Sequence, residues 1–458
     1  MAMRWSVAGQ SVVVVGAGRS GVAAAELLVS HGARVTLADA SSARPAMADR
    51  LEAAGVSLVL GPHPQALFAA ADLIVLSPGV PPTEPAVAAA RAQGVPVIGE
   101  VELASRWISG RIVAITGTKG KSTTTTLTAR VLGAAGIPVT AGGNLGTALS
   151  SQIAETRPDT VHVVEVSSFQ LETTTTFRPW IAVFLNLATD HLDRHATFEE
   201  YARAKARIFA NQEPDDWAVI NADDPTVLAL ASQARARRLL FGFREDVADG
   251  VTVEGDHIVL RRDGTSRPLV PLSAVNLPGR HFVTDVMAAL AVGVVAGVPA
   301  AAMTEAVRGF HGLEHALERV AVVRGVQFIN DSKATNVIAA ARAIESFPRG
   351  VVALIGGRYK GGDFAELRGA LTAHGRSVVA FGEAADRVVA ALEGTVPVRR
   401  AATFDEAVRQ GFDAARPDGV VLLAPACSSF DMFTDYRARG QAFRDAVRRI
   451  EAEAGSAA

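Results

Sequence analysis

The sequence predicts an α/β protein of about three domains, each built around a largely parallel sheet. Its 458 residues are too many for a single hydrophobic core. Short apolar runs alternate with Ala- and Leu-rich stretches of helical length through nearly the whole chain. This alternation is typical of βαβ units, in which helices cover both faces of a parallel sheet. Hydrophobic residues make up 49% and charged residues 20%, as in folded globular proteins.

The predicted elements follow in a regular order. Apolar runs bounded by Gly, Pro or Asp predict buried strands, and the segments between them have helical period. The strands are 11–16, 33–39, 71–79 and 111–117, and the helices are 20–31, 84–93 and 121–135. Residues 244–272 predict short β-structure around EGD and RDG turns. Ala-rich helices at 284–309 precede a new strand in GVQFIN, and this change predicts a domain boundary near 311–320. A second boundary is predicted near 108–111.

Charge, cysteine content and hydropathy exclude several classes of protein. Lys plus Arg (45) nearly balances Asp plus Glu (47), so no broad basic surface indicates a nucleic-acid partner. The one cysteine, Cys427, excludes an internal disulfide framework and a multi-cysteine metal site. We find no signal-peptide pattern and no apolar run of about 18 residues that would span a membrane. The expectation is a cytoplasmic protein without a membrane partner.

A glycine-rich turn follows the first strand. VVVVGAGRSG spaces Gly16, Gly18 and Gly21 as in a dinucleotide fingerprint, and Asp39 ends the second strand. The turn opens a helix whose N-terminus favours a diphosphate. A dinucleotide, a sugar nucleotide or a tight turn without ligand would each satisfy this pattern.

A second glycine-rich turn, GTKGKST, follows the strand RIVAIT. Ile115 stands where a longer phosphate loop has its first glycine, but the other parts are present. Lys121 supplies a point charge for β- and γ-phosphates, and Ser122 a hydroxyl for Mg²⁺. The loop residues are Gly117, Thr118, Lys119, Gly120, Lys121, Ser122 and Thr123. The following threonines either approach the phosphates or pack against the sheet.

Polar residues stand near the ends of the next apolar strands. Asn144 lies in AGGNLG, Glu165 in HVVEVSSFQLE and His191 in FLNLATDHLDRH. Gathered at one sheet edge, they would form a hard-cation site for Mg²⁺. Lys205 lies on a helix predicted to begin near Phe198, and its pattern alone is that of a surface lysine.

These motifs, in this order, resemble the Mur ligases, the ATP-dependent amino-acid ligases of peptidoglycan synthesis. The resemblance covers the whole chain, and SSFQLE, NDSKATN and PACSSFDMF are similar to the glutamate-adding branch. It implies a Rossmann-like N-terminal domain (1–108), a central P-loop ATPase α/β domain (109–312) and a Rossmann-like C-terminal domain (313–458). The last would close over the site with the incoming amino acid. The implied substrates are glutamate and UDP-N-acetylmuramoyl-L-alanine, and nothing in the sequence requires more than a monomer.

The resemblance also implies roles for residues. The nucleotide-sugar contacts would be Ser20, Gly21, Asp39 and Ser77. Lys121 and Ser122 would hold ATP and one Mg²⁺ completed by Glu165. A second Mg²⁺ would use His191 and a CO₂-carbamylated Lys205, with Asn144 near the reacting carboxyl. In the last domain, the expected contacts to phosphate and glutamate are Asp331, Lys333, Thr335, Lys360, Ser429 and Tyr436.

The chain departs from the family's pattern near the nucleotide base. Phe282 and Asp285 replace two asparagines, and Ala316 replaces an arginine that follows His315. Asp285 is expected at the adenine, where a carboxylate lacks the donor of an amide. Arg319 is a candidate substitute for the missing arginine. Three alternatives stay open: a ligase that adds L-glutamate or another acidic amino acid, a nucleotide-binding relative without catalysis, and an NAD-linked dehydrogenase.

Overall fold

The computed structural model describes residues 5–456 except 46, 145, 189–193, 246 and 278. The chain divides into two compact units, Met1–Phe310 and His311–Ala458. The first unit holds two sheets and the second holds one. None of the helices in the described part of the chain is both long and apolar enough to cross a membrane. The domain limits predicted within the first unit stay predictions.

The first sheet of the first unit is parallel, with strand order β3-β2-β1-β4-β5. Its strands are β1 (Ser11–Val15), β2 (Arg34–Asp39), β3 (Ser57–Leu60), β4 (Leu73–Leu76) and β5 (Val97–Gly99). Its helices are α1 (Arg19–Ser30), α2 (Ala48–Ala53), α3 (Gln65–Ala69), α4 (Pro85–Ala92) and α5 (Glu100–Ser105). The strand order reverses between β1 and β4, so a crevice opens at their carboxyl ends, where ligands bind in such sheets.

The second sheet has the order β14-β13-β12-β11-β10-β9-β6-β8-β7. Its strands are β6 (Arg111–Thr116), β7 (Val139–Gly143), β8 (Val161–Glu165), β9 (Ile181–Phe184), β10 (Trp217–Asn221), β11 (Arg237–Phe241), β12 (Gly250–Glu254), β13 (His257–Arg262) and β14 (Thr265–Pro271). Its α-helices are α6 (Lys121–Ala134), α7 (Ser168–Glu172), α8 (Phe198–Ala206), α9 (Pro225–Ala231), α10 (Arg280–Val295) and α11 (Ala300–Arg308). The short β-structure predicted for 244–272 is confirmed as the antiparallel strands β12 to β14.

Two buried carboxylates join the elements of the first unit. At α5, Glu100 accepts the Ser150 N–H at 2.6 Å, and Glu102 accepts the N–H groups of residues 175–177 at 2.9–3.1 Å. Both side chains are at most 1% exposed. Since α5 follows the first sheet and the donating N–H groups belong to segments that connect strands of the second, these bonds hold the two sheets in a defined relation.

The second unit is a six-stranded sheet of order β15-β16-β20-β17-β18-β19, parallel except for β15. Its strands are β15 (Glu318–Val323), β16 (Val326–Asn330), β17 (Val351–Gly356), β18 (Gly375–Phe381), β19 (Val398–Arg400) and β20 (Val420–Ala426). Its α-helices are α12 (Val337–Glu345), α13 (Arg368–His374), α14 (Ala385–Leu392), α15 (Phe404–Ala415) and α16 (Tyr436–Ser456). One core packs α12, α13 and α14 on one face, and another packs α15 and α16 on the opposite face. The predicted α/β class with parallel sheets is confirmed.

Candidate active site

The N-terminal glycine turn is shaped by close backbone contacts. Gly16 has a φ of +96°, and a Cβ on Gly21 would lie 1.8 Å from the Gly16 carbonyl oxygen. A Cβ on Gly18 would meet no heavy atom within 4 Å. The first and third glycines are therefore needed by the fold itself, and the middle glycine leaves space beside the helix N-terminus.

Two of the predicted substrate residues support this turn. The Asp39 carboxylate accepts the Ala17 N–H at 2.6 Å and the Ser41 N–H at 2.8 Å. The Ser77 hydroxyl donates to the Gly16 carbonyl oxygen at 2.9 Å. Their contacts in this structure are thus with the turn, and a direct contact with substrate stays a prediction.

A cavity of about 430 Å³ opens at the reversal point of the first sheet. It is lined by the glycine turn and by the loop after β4, and on its other side by the loop after β7. Its lining includes Gly18, Ser20, Ser77, Asn144 and Gln170. A ligand whose diphosphate rests on the glycine turn would therefore extend toward Asn144.

The GTKGKST turn forms a strand–loop–helix unit between β6 and α6. Gly120 is the N-cap of α6 with a φ of +80°, a conformation that favours glycine. Asn186, which the sequence analysis did not single out, holds the loop. Its amide oxygen accepts the N–H groups of Thr118 (3.1 Å) and Lys119 (2.8 Å). The N-terminus of α6 is thereby presented as an anion site.

The threonines after the loop differ in burial, and contact of any of them with a phosphate stays a prediction. Thr124, Thr125 and Thr128 are fully buried, whereas Thr123 is partly exposed at the first turn of α6. The packing interpretation therefore applies to the three buried residues.

A chain of short hydrogen bonds links the loop to the cavity. The Ser122 hydroxyl donates to one Glu165 oxygen at 2.7 Å, and the Asn144 amide donates to the other at 2.7 Å. Glu165 ends β8 and is 2% exposed. Lys121 Nζ lies 3.0 Å from the carbonyl oxygens of Gly117 and Thr118. Four predicted residues thus lie at one edge of the second sheet.

Lys205 is not a surface lysine, contrary to what its local pattern indicates. Its side chain on α8 is 2% exposed, and its Nζ donates to the Gly117 carbonyl oxygen at 2.8 Å. The Nζ also lies 4.8 Å from the centre of the Tyr201 ring. The amino group is therefore held directly behind the phosphate loop.

The predicted metal ligands are only partly covered by the structure. Ser122 and Glu165 are in contact, Lys205 lies behind the loop, and His191 falls outside the described residues. In the described part of the chain, no three His, Cys, Asp or Glu side chains converge on a position that would hold a metal ion. The hydroxyl and carboxylate of the Ser122–Glu165 pair are the oxygen ligands that Mg²⁺ prefers.

His195, also missed by the sequence analysis, ties the chain just after the undescribed segment to α7. It is 3% exposed, and its Nε2 lies 3.0 Å from the Ser168 hydroxyl. Its Nδ1 lies 3.2 Å from Glu172. Since Ser168 is three residues after Glu165, these contacts position that chain segment relative to β8.

Asp285 lies against the phosphate loop. It is 5% exposed, and a Cβ on Gly120 would come within 2.2 Å of its Oδ1. Burial raises the pKa of its carboxyl to about 8. At neutral pH the group is therefore protonated and carries one O–H donor besides its acceptor, as an amide does. The sequence led us to expect a carboxylate without a hydrogen-bond donor, but the buried, protonated group has one. The contact of Asp285 with adenine stays a prediction.

In the second unit, the predicted residues lie on the loops after three adjacent strands, β16, β17 and β20. Asp331 accepts the Leu317 N–H at 3.1 Å, and burial raises the pKa of its carboxyl to about 7. Ser429 is buried and Tyr436 is half-buried. The remaining residues are two exposed lysines and a partly buried threonine, Lys333, Lys360 and Thr335.

Two other expectations fall on this unit. Cys427 is confirmed as a packed thiol just after β20, where burial raises the pKa of its thiol to about 12. His315 has a φ of +62° and its Nδ1 lies 3.0 Å from the Asn330 amide nitrogen. Neither finding provides a nucleophile.

The distribution of lysine is a signal that the sequence analysis passed over. Of the 45 basic residues other than histidine, only five are lysines: Lys119, Lys121, Lys205, Lys333 and Lys360. All five are predicted site residues, and every other position with a Lys or Arg is an arginine. Because lysine offers a compact charge and an amine that can lose its proton, arginine cannot replace it in such roles.

Comparison with known proteins finds matches along almost the whole chain. Three family models match it: "Mur ligase MurD-like, N-terminal domain" at residues 10–99, "Mur ligase middle domain" at 115–293 and "Mur ligase, glutamate ligase domain" at 317–427. A protein of Acidobacterium capsulatum named UDP-N-acetylmuramoylalanine–D-glutamate ligase is 46% identical over 96% of both chains. A protein of the same name from Koribacter versatilis is 43% identical, over 97% of this chain and 98% of its own.

Solved structures agree on the fold. The UDP-N-acetylmuramate–alanine ligase of Thermotoga maritima has a TM-score of 0.58 at 18% identity, covering 97% of this chain and 100% of its own. The MurF ligase of the same organism, in complex with ADP, has a TM-score of 0.56 at 16% identity, covering 99% and 96%.

Proposed function

The chain belongs to the Mur ligase family, and on that premise we propose that it joins D-glutamate to UDP-N-acetylmuramoyl-L-alanine while converting ATP to ADP and phosphate. The observation that carries the substrate assignment is the 46% identity, over 96% of both chains, to a ligase of that name. The hydrogen bonds that run from Ser122 through Glu165 to Asn144, which lines the cavity, support it. The product is a precursor of peptidoglycan, so the enzyme would act in cell-wall synthesis and thereby in cell shape and division.

The chemistry proceeds in two displacements. A substrate carboxylate oxygen attacks the γ-phosphorus of ATP, the bond to ADP breaks, and an acyl phosphate forms. The amine of glutamate then attacks the acyl carbon, phosphate leaves with its bonding electrons, and the nitrogen loses a proton to give the amide. The protein contributes positioning and charge stabilisation to both steps. Lys121 and the N-terminus of α6 would bind the β- and γ-phosphates, and Asn144 would orient the carboxyl.

Mg²⁺ would be held by Ser122 and Glu165 at one position, and by His191 and Lys205 at a second. Bound there, it would neutralise charge on the transferring phosphoryl group. The residues fit such an ion, because a hydroxyl and a carboxylate already meet at 2.7 Å. The same Glu165 oxygens accept hydrogen bonds from Ser122 and Asn144.

Carbamylation of Lys205 fits its surroundings. In its neutral form the amine can attack CO₂ to form an N–C bond and lose a proton, giving a carbamate anion. An ammonium group beside Mg²⁺ would be repelled, whereas a carbamate would be attracted. The 2% exposure of the side chain would shield the carbamate from water.

The second unit would bind the amino acid. Lys333 and Lys360 are exposed cations on the loops after β16 and β17, two strands that flank β20, and they suit a substrate with two carboxylates. Asp331 and Thr335 lie on the loop after β16, Ser429 lies on the loop after β20, and Tyr436 begins the helix that follows it. A cytoplasmic monomer is the state that this proposal assumes.

The deciding experiment measures phosphate release with ATP, Mg²⁺ and UDP-N-acetylmuramoyl-L-alanine, comparing D- with L-glutamate. Release and ligated product that depend on D-glutamate are expected. Product with L-glutamate alone would favour the alternative ligase, and binding of ATP without product from either isomer would favour the non-catalytic relative.

The glycine turn gives a prediction with an internal control. Gly18→Ala should leave the melting temperature unchanged, because its Cβ meets nothing within 4 Å, yet should raise the KM for the nucleotide sugar roughly tenfold by narrowing the cavity. Gly21→Ala should unfold at lower temperature, since its Cβ would overlap the Gly16 carbonyl. Thermal melts and steady-state kinetics of both variants test this. An unchanged KM in Gly18→Ala would place the diphosphate elsewhere.

Asp285 gives a pH-dependent prediction. The folded protein keeps the carboxyl proton up to a pKa of about 8, whereas the unfolded chain releases it near pH 4. The free energy of unfolding should therefore fall as pH rises from about 4 to about 8. Asp285→Asn removes this loss and should be more stable than the parent by roughly 4–6 kcal/mol at pH 8, with little difference near pH 4. Denaturant unfolding at several pH values measures it, and parallel curves for the two proteins would contradict it.

A further inference from the structure

Arg439, on the first turns of α16, is a fully buried cation that no role proposed above uses. Its side chain is 0% exposed. Its Nε donates to the Ser332 hydroxyl at 3.0 Å, and its two terminal nitrogens donate to the carbonyl oxygens of Ser332 (2.9 Å) and Cys427 (3.2 Å). The guanidinium thus binds two loops that are about 95 residues apart in sequence.

These loops leave the centre of the sheet. Ser332 follows β16 and Cys427 follows β20, its neighbour, and they lead to α12 and α16 on opposite faces. A Cβ on Gly357, after the third adjacent strand β17, would lie 3.1 Å from Arg439. Where loops of neighbouring parallel strands depart to opposite faces, a ligand crevice forms. Arg439 therefore lies where this topology predicts the ligand crevice of the sheet.

Burying the Arg439 guanidinium costs free energy of folding. No carboxylate in the described part of the chain hydrogen-bonds to this guanidinium, and burial lowers the pKa of the group to about 10. An apolar residue at a buried helical position would avoid the desolvation of a cation. Ala426, next to Cys427, also has a φ of +56°, an unfavourable conformation for a residue other than glycine. Costs of this kind collect where a site requires a defined loop geometry.

The bonded residues adjoin the proposed amino-acid contacts. Ser332 lies between Asp331 and Lys333, and Cys427 is two residues before Ser429. The Ser332 hydroxyl in turn donates to the Tyr436 carbonyl oxygen at 2.8 Å. One side chain therefore sets the spacing of the loops that carry the contacts expected for glutamate.

We propose that Arg439 is a positioning residue for the amino-acid substrate, holding the Ser332 and Cys427 loops at the spacing that binds a dicarboxylate. This inference rests on the proposed function. Its charge also makes the crevice more favourable for an anion, but its direct contacts are with the protein, and its effect on glutamate is transmitted through the two loops.

The test compares Arg439→Met, Arg439→Lys and Ser332→Ala with the parent in steady-state kinetics. Arg439→Met should raise the KM for D-glutamate roughly tenfold or more, with the KM values for ATP and the nucleotide sugar within about twofold of the parent. Arg439→Lys keeps the charge but not the planar set of donors of the guanidinium. Its KM for D-glutamate should lie between those of the parent and Arg439→Met. Ser332→Ala keeps Arg439 and loses one acceptor, so it reports on the same link if Arg439→Met does not fold.

Two variants on the same helix act as controls. Phe443→Leu loosens the packing of α16 in the core without touching either loop, and Arg449→Met removes an exposed cation paired with Asp405. Both should leave the KM for D-glutamate unchanged, the first despite a lower melting temperature. If all three KM values rise together, or if Phe443→Leu and Arg439→Met behave alike, Arg439 is only structural. A parent enzyme that makes no product with D-glutamate would instead overturn the proposed function.

Discussion

Lys121→Ala is expected to reduce ATP-dependent product formation by about 10³-fold while leaving the fold intact. The Lys121 ammonium lies 3.0 Å from two carbonyl oxygens of its own loop. It is therefore positioned at the N-terminus of α6, where the β- and γ-phosphates would lie. Because phosphoryl transfer depends on stabilising charge on those oxygens, loss of this cation should lower kcat more than it changes the KM for glutamate. ADP release in single-turnover and steady-state assays measures the effect.

Arg130→Ala is the matched control. Arg130 lies on the same helix, in its last turns, and its guanidinium donates to the Gly309 carbonyl oxygen at 2.9 Å. The Arg130→Ala substitution also removes one cation from α6, but at the end of the helix away from the phosphate loop. Activity close to that of the parent is expected. Equal losses in both variants would mean that general charge or helix stability, not the loop lysine, decides the rate.

Lys205→Ala is expected to lose about 10²–10³-fold in kcat and to regain part of it when a short carboxylic acid such as acetate or formate is added. The truncated side chain leaves a space behind the phosphate loop, and a small carboxylate could occupy the position of the carbamate. Lys205→Arg is the control, since arginine keeps a cation, cannot be carbamylated under these conditions and fills the space. It should be inactive and should not be rescued. Near-normal activity in Lys205→Ala would contradict the carbamate.

The carbamate can also be observed without measuring activity. With only five lysines in the chain, ¹³C-labelled bicarbonate should produce a simple carbamate signal by NMR. That signal should persist in Lys121→Ala and disappear in Lys205→Arg. A spectrum unchanged by Lys205→Arg would assign the modification to another amine or to none.

The sequence alone determined the features that depend on local pattern. Apolar runs and helical periods predicted the parallel sheets, and the structure confirms them. The glycine spacings predicted both turns, because a close approach such as that between Gly21 and the Gly16 carbonyl excludes other residues. Ser122, Glu165 and Asn144 could be expected at one sheet edge because parallel strands place their carboxyl ends together.

Only the tertiary structure decided what burial and distant contacts impose. Lys205 has the local pattern of a surface residue, yet α8 packs it against Gly117, 88 residues earlier in the chain. An ionised Asp285 carboxylate would have no hydrogen-bond donor, unlike an amide. Burial beside Gly120 raises the pKa of the carboxyl, so the group keeps a proton and can donate. Asn186, His195 and Arg439 belong to no predicted chemical pattern, because their roles come from bonds to other loops. Short-range pattern reports backbone conformation and hydrophobicity, whereas protonation and loop spacing depend on neighbours that folding brings from far along the chain.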